Sequence, residues 1–255
     1  MPLSARELAV QTAGVLGSLV LAGRLIRRLC GDDPAEDRLI RWLQSACGHH
    51  PPTDGDASRA SATTPGDSAT PQLPSIAPGP TPLTGVTATG AGVVVEPDEV
   101  LDVMTGALSW YSGVPQTIAN GAAWCGITWL LTRDPRSAIA PGAALALETA
   151  CFVGSAALIG RPRPERVWRP EEPHATSSFP SGHTAAAFAL HATLANLLAR
   201  HGRGTRLGRY ILRWEIPGEI AFSRAYRGQH HITDVLAGAL LGRWSAHVVR
   251  RALLD

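Results

Sequence analysis

Large apolar residues along this chain fall into blocks separated by polar ground. The first block runs from Leu8 to Gly23 and closes on Arg24, Arg27 and Arg28. Residues 48–92 carry only scattered large apolar side chains (Leu73, Ile76, Leu83 and Val86), and none of them form a run. Five further blocks, rich in Ala, Leu, Val, Ile and Gly, cover 116–132, 138–159, 182–199, 207–223 and 232–249. A membrane-crossing helix takes roughly 20 apolar residues, and arginines at the end of a shorter block can reach back to the interface. The pattern predicts an all-α integral membrane bundle of about six transmembrane helices. Its Gly/Ala-rich segments are suited to close helix packing.

The polar ground divides the rest. "PAEDRLIRWLQSA", residues 34–46, reads as a short amphipathic helix offering Leu39, Ile40, Trp42 and Leu43 to an interface. The stretch that follows is dominated by Pro, Ser, Thr, Gly and Asp. It cannot bury enough apolar surface to offset ordering entropy, and is expected to be disordered. Helical order resumes near residue 98, with Val100, Leu101, Met104 and Leu108 on one face. Three regions result: an anchor helix over 1–30, an amphipathic stretch with a disordered linker over 31–97, and a membrane domain over 98–255. A secretory signal is the competing reading of the first block, but Arg6 is a thin basic region and no cleavage site follows.

Arginine asymmetry sets the orientation. Arg133 and Arg136, then Arg200, Arg203, Arg206, Arg209 and Arg213, then Arg243, Arg250 and Arg251 fall on one side of a six-span arrangement. That side is read as cytoplasmic, which turns the 160–181 and 224–231 loops outward. The arginines closing the first block disagree, since they fall on the outer side.

Composition adds limits. All 23 basic residues are arginine and the formal charge is +2, with no dense basic stripe of the kind nucleic acid requires. Of four cysteines, Cys125 and Cys151 sit inside apolar runs, while Cys30 and Cys47 flank the amphipathic stretch as a minor candidate for a disulfide. "CGHH" at 47–50 lacks a second half for a metal site and reads as loop.

Three stretches carry chemistry, and the topology places them on one face. "GRPRPERVWRP", 160–170, has four arginines in eleven residues. In "SSFPSGHTAA", 177–186, Pro180, Ser181 and Gly182 open a helix whose unpaired N–H groups favour an anion, with His183 at the mouth. Taken alone, that stretch reads equally as a capped helix with an interfacial histidine. In "SRAYRGQHHITD", 223–234, Asp234 stands four residues after His230 and three after His231, and on a helix both spacings bring side chains together. A carboxylate on one ring nitrogen leaves the other as a nucleophile, and Arg224 offers a planar fork to phosphate oxygens. One histidine attacking phosphorus while the other protonates the departing oxygen needs no metal and no cofactor.

Arg163-Pro164, then Pro180-Ser181-Gly182-His183, then Ser223-Arg224 with five residues to His230 and three more to Asp234, together resemble the type 2 phosphatidic acid phosphatase (PAP2) superfamily. The resemblance covers roughly 98–250. It implies that His230 is the nucleophile forming a phosphohistidine, that Asp234 orients it, and that His183 is the general acid and then the base for water. Arg163, Ser181, the Gly182 amide and Arg224 would bind phosphate. It further implies a lipid phosphate or diphosphate substrate (a polyprenyl diphosphate of a cell-wall carrier cycle such as undecaprenyl diphosphate, phosphatidic acid or phosphatidylglycerol phosphate) met at the outer face of a bacterial plasma membrane. The family's first motif usually has a lysine seven residues before its arginine; here that position is Ala156, or Gly154 counted from Arg161. Arg161 and Arg227 are the auxiliary cations nearest the motifs, with Arg166 and Arg169 behind them. A non-catalytic lipid-phosphate binder with a degenerate first motif is the alternative, and the usual larger soluble form of a vanadate haloperoxidase fits poorly with the spans. By motif spacing His231 becomes an interfacial neighbour. Glu148, Arg213, Glu215 and Glu219 are charges within proposed spans, with Glu219 one turn before Ser223 as a support for Arg224. His191 reads as packed, His174 as a loop residue, and His201 and His247 as interfacial.

Overall fold

The computed structural model describes residues 3–30, 35–50, 88–89, 92–93, 97–165, 167–168 and 177–255. Most of the Pro-rich insert, and with it the expectation of disorder, lies outside the described residues, as do Arg166, Arg169 and His174.

Among the described residues the chain is all-α apart from a two-residue ladder pairing Ala88 with Val93. The helices are α1 (Ala5–Cys30), α2 (Ala35–Ala46), α3 (Pro97–Tyr111), α4 (Val114–Thr132), α5 (Pro135–Ile159) and α6 (Gly182–Arg200). After them comes α7 (Arg206–Tyr210), which runs through a π-helical turn (Ile211–Glu215) into α8 (Ile216–Tyr226). The last helix, α9 (Ile232–Val249), ends in a second π turn (Arg250–Leu254). Each of the six expected apolar blocks is helical. Among the described residues two helices, α1 and α5, are long and apolar enough by themselves to cross a membrane. Leu21, Leu25, Leu130, Leu131, Ile139, Val153, Leu158, Leu236 and Leu240 all lie exposed on the outside of the bundle, an apolar surface that lipid satisfies and water does not.

The local chemistry of the helix ends is regular. Asp134 caps α5 by accepting from Arg136 N (3.1 Å) and Ser137 Oγ (2.7 Å), with Pro135 at the first helical position. At the far end of α5, Gly160 takes the left-handed conformation (φ 59°) and Arg27 Nη1 donates to the Ile159 carbonyl (2.8 Å). The end of α1 therefore sits beside the loop that starts at residue 160. The α1 arginines, which the charge rule placed on the wrong side, include one bonded to the open end of a neighbouring helix.

The core is built on α6, which is buried along most of its length and packs most extensively on α9. That contact depends on two glycines one turn apart. A Cβ on Gly238 would lie 2.4 Å from the Ser181 carbonyl oxygen, and one on Gly242 would lie 2.1 Å from that of Ala185. Small residues let the two backbones meet, the device expected where helices associate without a hydrophobic drive between them.

In α2 the face turned to the protein is Asp37, Ile40 and Gln44, whereas Leu39 and Trp42 are exposed. In α3 the buried positions are Thr105 and Ser109, while Val100 and Met104 are exposed. The inward stripe of both helices is largely polar. Cys30 and Cys47 are free thiols.

Candidate active site

The three chemical stretches meet at one end of the bundle and are laced together by backbone bonds. Ser178 N donates to the Arg161 carbonyl (2.8 Å), and Arg161 N donates to Ser177 Oγ (2.9 Å). Ser181 N donates to the Asp234 carbonyl (2.9 Å), which sets the Ser181–Gly182–His183 turn against the start of α9. Arg163 Nη1 donates to the Gln229 carbonyl (2.7 Å) and joins the first stretch to the third. The Phe179–Pro180 peptide between them is cis. Gly228 turns the third stretch with φ 69°, and a Cβ there would lie 2.3 Å from Val167.

His230 is buried, with Nδ1 2.8 Å from the Ser178 carbonyl oxygen. A carbonyl only accepts, so Nδ1 carries the proton and Nε2 keeps its lone pair. Burial, with the Arg224 and Arg163 guanidiniums adding to it and Asp234 opposing, holds His230 well below the ordinary histidine range. The result is a neutral imidazole with a nucleophilic nitrogen.

Asp234 answers to a different histidine from the one expected. Its Oδ2 accepts from His231 N (3.0 Å), His231 Nδ1 (2.9 Å) and Ser178 Oγ, and its Oδ1 accepts from Arg161 Nη1 (2.5 Å). The distance from His230 Nδ1 to Asp234 Oδ2 is 4.0 Å, beyond a hydrogen bond. The cause is where the helix begins. His231 is the N-cap of α9, in extended conformation, and Asp234 is the third helical residue, so its carboxylate folds back as a capping box does. His230 precedes the cap, and the four-residue helical spacing does not apply to it. His231 is thus buried rather than interfacial. Its Nε2 also lies 3.4 Å from Asp37 Oδ2. Burial works against its charge, but Asp234 and Asp37 outweigh this and raise its pKa to about 9.

The helix α2 completes this network. Glu36 Oε1 accepts from Arg161 Nη2 (2.7 Å) and Thr233 Oγ1 (3.0 Å), and Oε2 accepts from Thr233 N (2.8 Å). Gln44 Nε2 donates to the Tyr226 carbonyl (2.5 Å), and its Oε1 accepts from Trp168 N (3.2 Å). Just past α2, His49 of the "CGHH" loop stacks on Trp168 with ring centroids 3.6 Å apart.

The remaining site residues fall into place around these. Arg224 is buried and donates through Nη1 to Ser109 Oγ (2.7 Å), which donates in turn to Gln229 Oε1 (3.0 Å). Ser109, not Glu219, is thus the support for Arg224; Glu219 is exposed. Ser181 is buried with Oγ 3.0 Å from Thr184 Oγ1, Gly182 opens α6 against the Phe152 ring, and half-buried His183 stands in the first turn of α6. Neither auxiliary arginine is a spare cation. Arg161 Nη1 donates to Thr233 Oγ1 (2.7 Å) as well as Asp234, with Nη2 on Glu36, and Arg227 Nη1 lies 2.6 Å from Asp102 Oδ1. Ala156 is buried in α5, and a Cβ on Gly154 would touch Leu16 of α1 at 3.4 Å, so α1 packs on that face of α5. Away from the site, His191 is buried with Nδ1 donating to the Ala187 carbonyl (2.8 Å).

Sequence reasoning missed Ser109, Ser178, Glu36 and Asp37. The spacing of Asp37, Ile40 and Gln44 is itself a helical stripe, and was the available signal for α2.

The model of the PAP2 superfamily matches residues 137–255. Among solved structures, a transmembrane PAP2-type phosphatidylglycerolphosphate phosphatase from Bacillus subtilis is similar at 22% identity and a TM-score of 0.50, over 59% of this chain and 75% of that one. LpxE of Aquifex aeolicus is similar at 27% identity and a TM-score of 0.47, over 59% of this chain and 85% of that one. No curated protein sequence is similar enough to count as a relative.

Proposed function

We propose that this chain, whose residues 137–255 match the model of the PAP2 superfamily, hydrolyses a lipid phosphate or diphosphate through a phosphohistidine on His230. The observation that carries the reading is the state of His230. It is a buried, neutral imidazole whose Nδ1 proton is held by the Ser178 carbonyl, in a site that also gathers Arg163, Arg224 and the start of α6.

In the first step Nε2 of His230 attacks phosphorus, and the bond from phosphorus to the departing oxygen breaks as His183 gives that oxygen a proton. In the second, His183 takes a proton from water, whose oxygen attacks the phosphohistidine and frees His230 and phosphate. Arg163, Arg224, Ser181 and the Gly182 amide hold the equatorial oxygens while charge builds on them. No step calls for a metal. The substrate is read as a polyprenyl diphosphate, phosphatidic acid or phosphatidylglycerol phosphate, the last being the substrate class named for the Bacillus subtilis protein. The arginine asymmetry of the loops supports a site on the outer face of a bacterial plasma membrane.

The test is phosphate release by purified protein from a panel of these lipids, without added metal and with chelator. Wild type is expected to be active in both conditions and His230→Ala inert. Strict metal dependence would overturn the mechanism. One observation favours a second reading, a lipid-phosphate binder without turnover. Ala156 occupies the family's lysine position, and Arg161, the nearest substitute, is already bonded to two carboxylates. Lipid-phosphate binding by an inert wild type would establish that reading instead.

A further inference from the structure

A cavity lies at the other end of the bundle. It has a volume of about 650 Å³ and is lined by Asn196, Arg200, Arg213, Arg243, His247 and Arg250, among others. Asn196 lies thirteen residues beyond His183 on α6, which at about 1.5 Å per residue sets the cavity about 20 Å from the catalytic histidines. It is a separate site.

Its charges are unbalanced. Four guanidiniums line it against the single carboxylate side chain of Asp255. Arg250 takes that carboxylate, with Nη1 2.7 and 2.8 Å from the two Asp255 oxygens. Arg200 lies 3.6 Å from Asp134 and donates to the Leu254 carbonyl. Arg213 and Arg243 have no carboxylate partner among the described residues. Both are nonetheless held in place: Arg213 Nη2 donates to Asn196 Oδ1 (2.8 Å), and the Arg243 guanidinium lies 3.8 Å over the centre of the Trp214 ring.

Two half-buried cations fixed beside one cavity without counter-charges repel each other, and an anion between them relieves that repulsion. The backbone is specialised at the same place. The two π-helical turns among the described residues, Ile211–Glu215 and Arg250–Leu254, both border this cavity and supply Arg213 and Arg250 to it. Such turns are uncommon and concentrate at functional sites. The planar fork of arginine matches the oxygens of phosphate, and the volume is in the range of small-molecule sites rather than of a bare ion.

We infer that this cavity binds a phosphate-bearing anion, with Arg213 and Arg243 as its principal ligands. The chemistry is shared by an anionic phospholipid headgroup and by soluble phosphate, and the test separates the two.

The unfolding midpoint of the full chain in neutral detergent is followed against increasing dioleoyl-phosphatidylglycerol in one series and inorganic phosphate in another. Both are run with wild type, the double variant Arg213→Gln/Arg243→Gln, and Arg163→Gln, which weakens phosphate binding at the catalytic end and so sets that contribution apart. A ligand that binds only the folded state raises the midpoint, the more so the further its concentration exceeds its dissociation constant. The double variant is expected to bind at least about tenfold more weakly at this cavity, as loss of charge-assisted bonds implies, so it loses the part of the response that Arg163→Gln, acting at the catalytic end, leaves in place. A response to the lipid alone assigns a headgroup, and an equal response to phosphate assigns a soluble anion. Responses that are the same in wild type and the double variant, or absent from wild type for both ligands, would overturn the inference. If the double variant does not fold, Arg213→Lys/Arg243→Lys retains the charges and removes the forks. It is expected to weaken binding too, and unchanged binding would count against the inference.

Discussion

His231 should make the stability of this protein depend on pH in a window set by two carboxylates. In the folded chain its pKa is raised to about 9 by Asp234 and Asp37 against the cost of burial; in an unfolded chain it returns to about 6.5. A group whose folded pKa is raised stabilises the fold while it is protonated. The contribution is therefore complete below about pH 6.5, declines above it, and is gone once the pH has passed about 9. The gap between the two values, at about 1.4 kcal/mol per pH unit, sets a ceiling of about 3 kcal/mol. For a chain of this size that is about 6–12 °C in unfolding midpoint. The assay is thermal unfolding in detergent from pH 6 to pH 10, comparing wild type with His231→Gln, which cannot titrate. Wild type should lose its advantage between about pH 6.5 and pH 9.5, with the two curves converging above that range. Asp37→Asn should keep a smaller part of the effect, since Asp234 remains. Parallel curves across the whole range would refute the reasoning, because His231 would then carry no extra proton in the fold.

Other outcomes follow from the same contacts. Per folded molecule, His231→Ala should keep substantial phosphatase activity while His230→Ala keeps essentially none; equal losses in a phosphate-release assay would remove the distinction between them. Ser178→Ala keeps the carbonyl that holds His230 but loses the hydroxyl on Asp234. It should cost about 1–3 kcal/mol in an unfolding assay, since a buried acceptor loses a donor. Glu36→Ala strips Thr233 N and Arg161 of an acceptor and should cost a similar amount, about 1–3 kcal/mol; an unchanged midpoint would mean that α2 does not dock as described. Gly242→Val drives a side chain into the Ala185 carbonyl and should abolish folded protein on a size-exclusion profile, whereas Gly218→Ala, with nothing within 4 Å, should be tolerated.

The apolar blocks were enough to place the helices, because a run of apolar residues has few other uses. They could not say which side of a helix meets protein. In α2 and α3 the periodicity is present, but it does not by itself name the packed face: Trp42 and Met104 point outward, while Asp37, Gln44, Thr105 and Ser109 point in. The rule that apolar stripes face the core assumes water outside. Where lipid is outside, apolar surface has no reason to hide, and buried contacts form between groups that need hydrogen-bond partners. The polar stripe is then the informative one. Read that way, Asp37 and Gln44 on α2 mark a docking face, and Thr105 and Ser109 on α3 mark the wall that holds Arg224 and Arg227.

The two adjacent histidines expose a second limit of the same kind. Spacing rules for side-chain pairs hold only inside a helix, and they cannot be applied until its first residue is known. With α9 beginning at Ile232, Asp234 lies inside the helix, His231 caps it and His230 lies outside. The carboxylate therefore closes on His231. Its route to His230 runs through Ser178, whose Oγ donates to Asp234 while its carbonyl accepts from His230 Nδ1. One serine thus fixes the tautomer of His230, the proposed nucleophile, and is itself fixed by the aspartate. This arrangement separates two demands that a direct ion pair would join. A carboxylate bonded straight to His230 would favour the charged imidazolium, which cannot attack phosphorus. A neutral carbonyl orients the ring and leaves it uncharged. The negative charge of Asp234 is met instead by Arg161 and His231, whose proton is not needed for the chemistry.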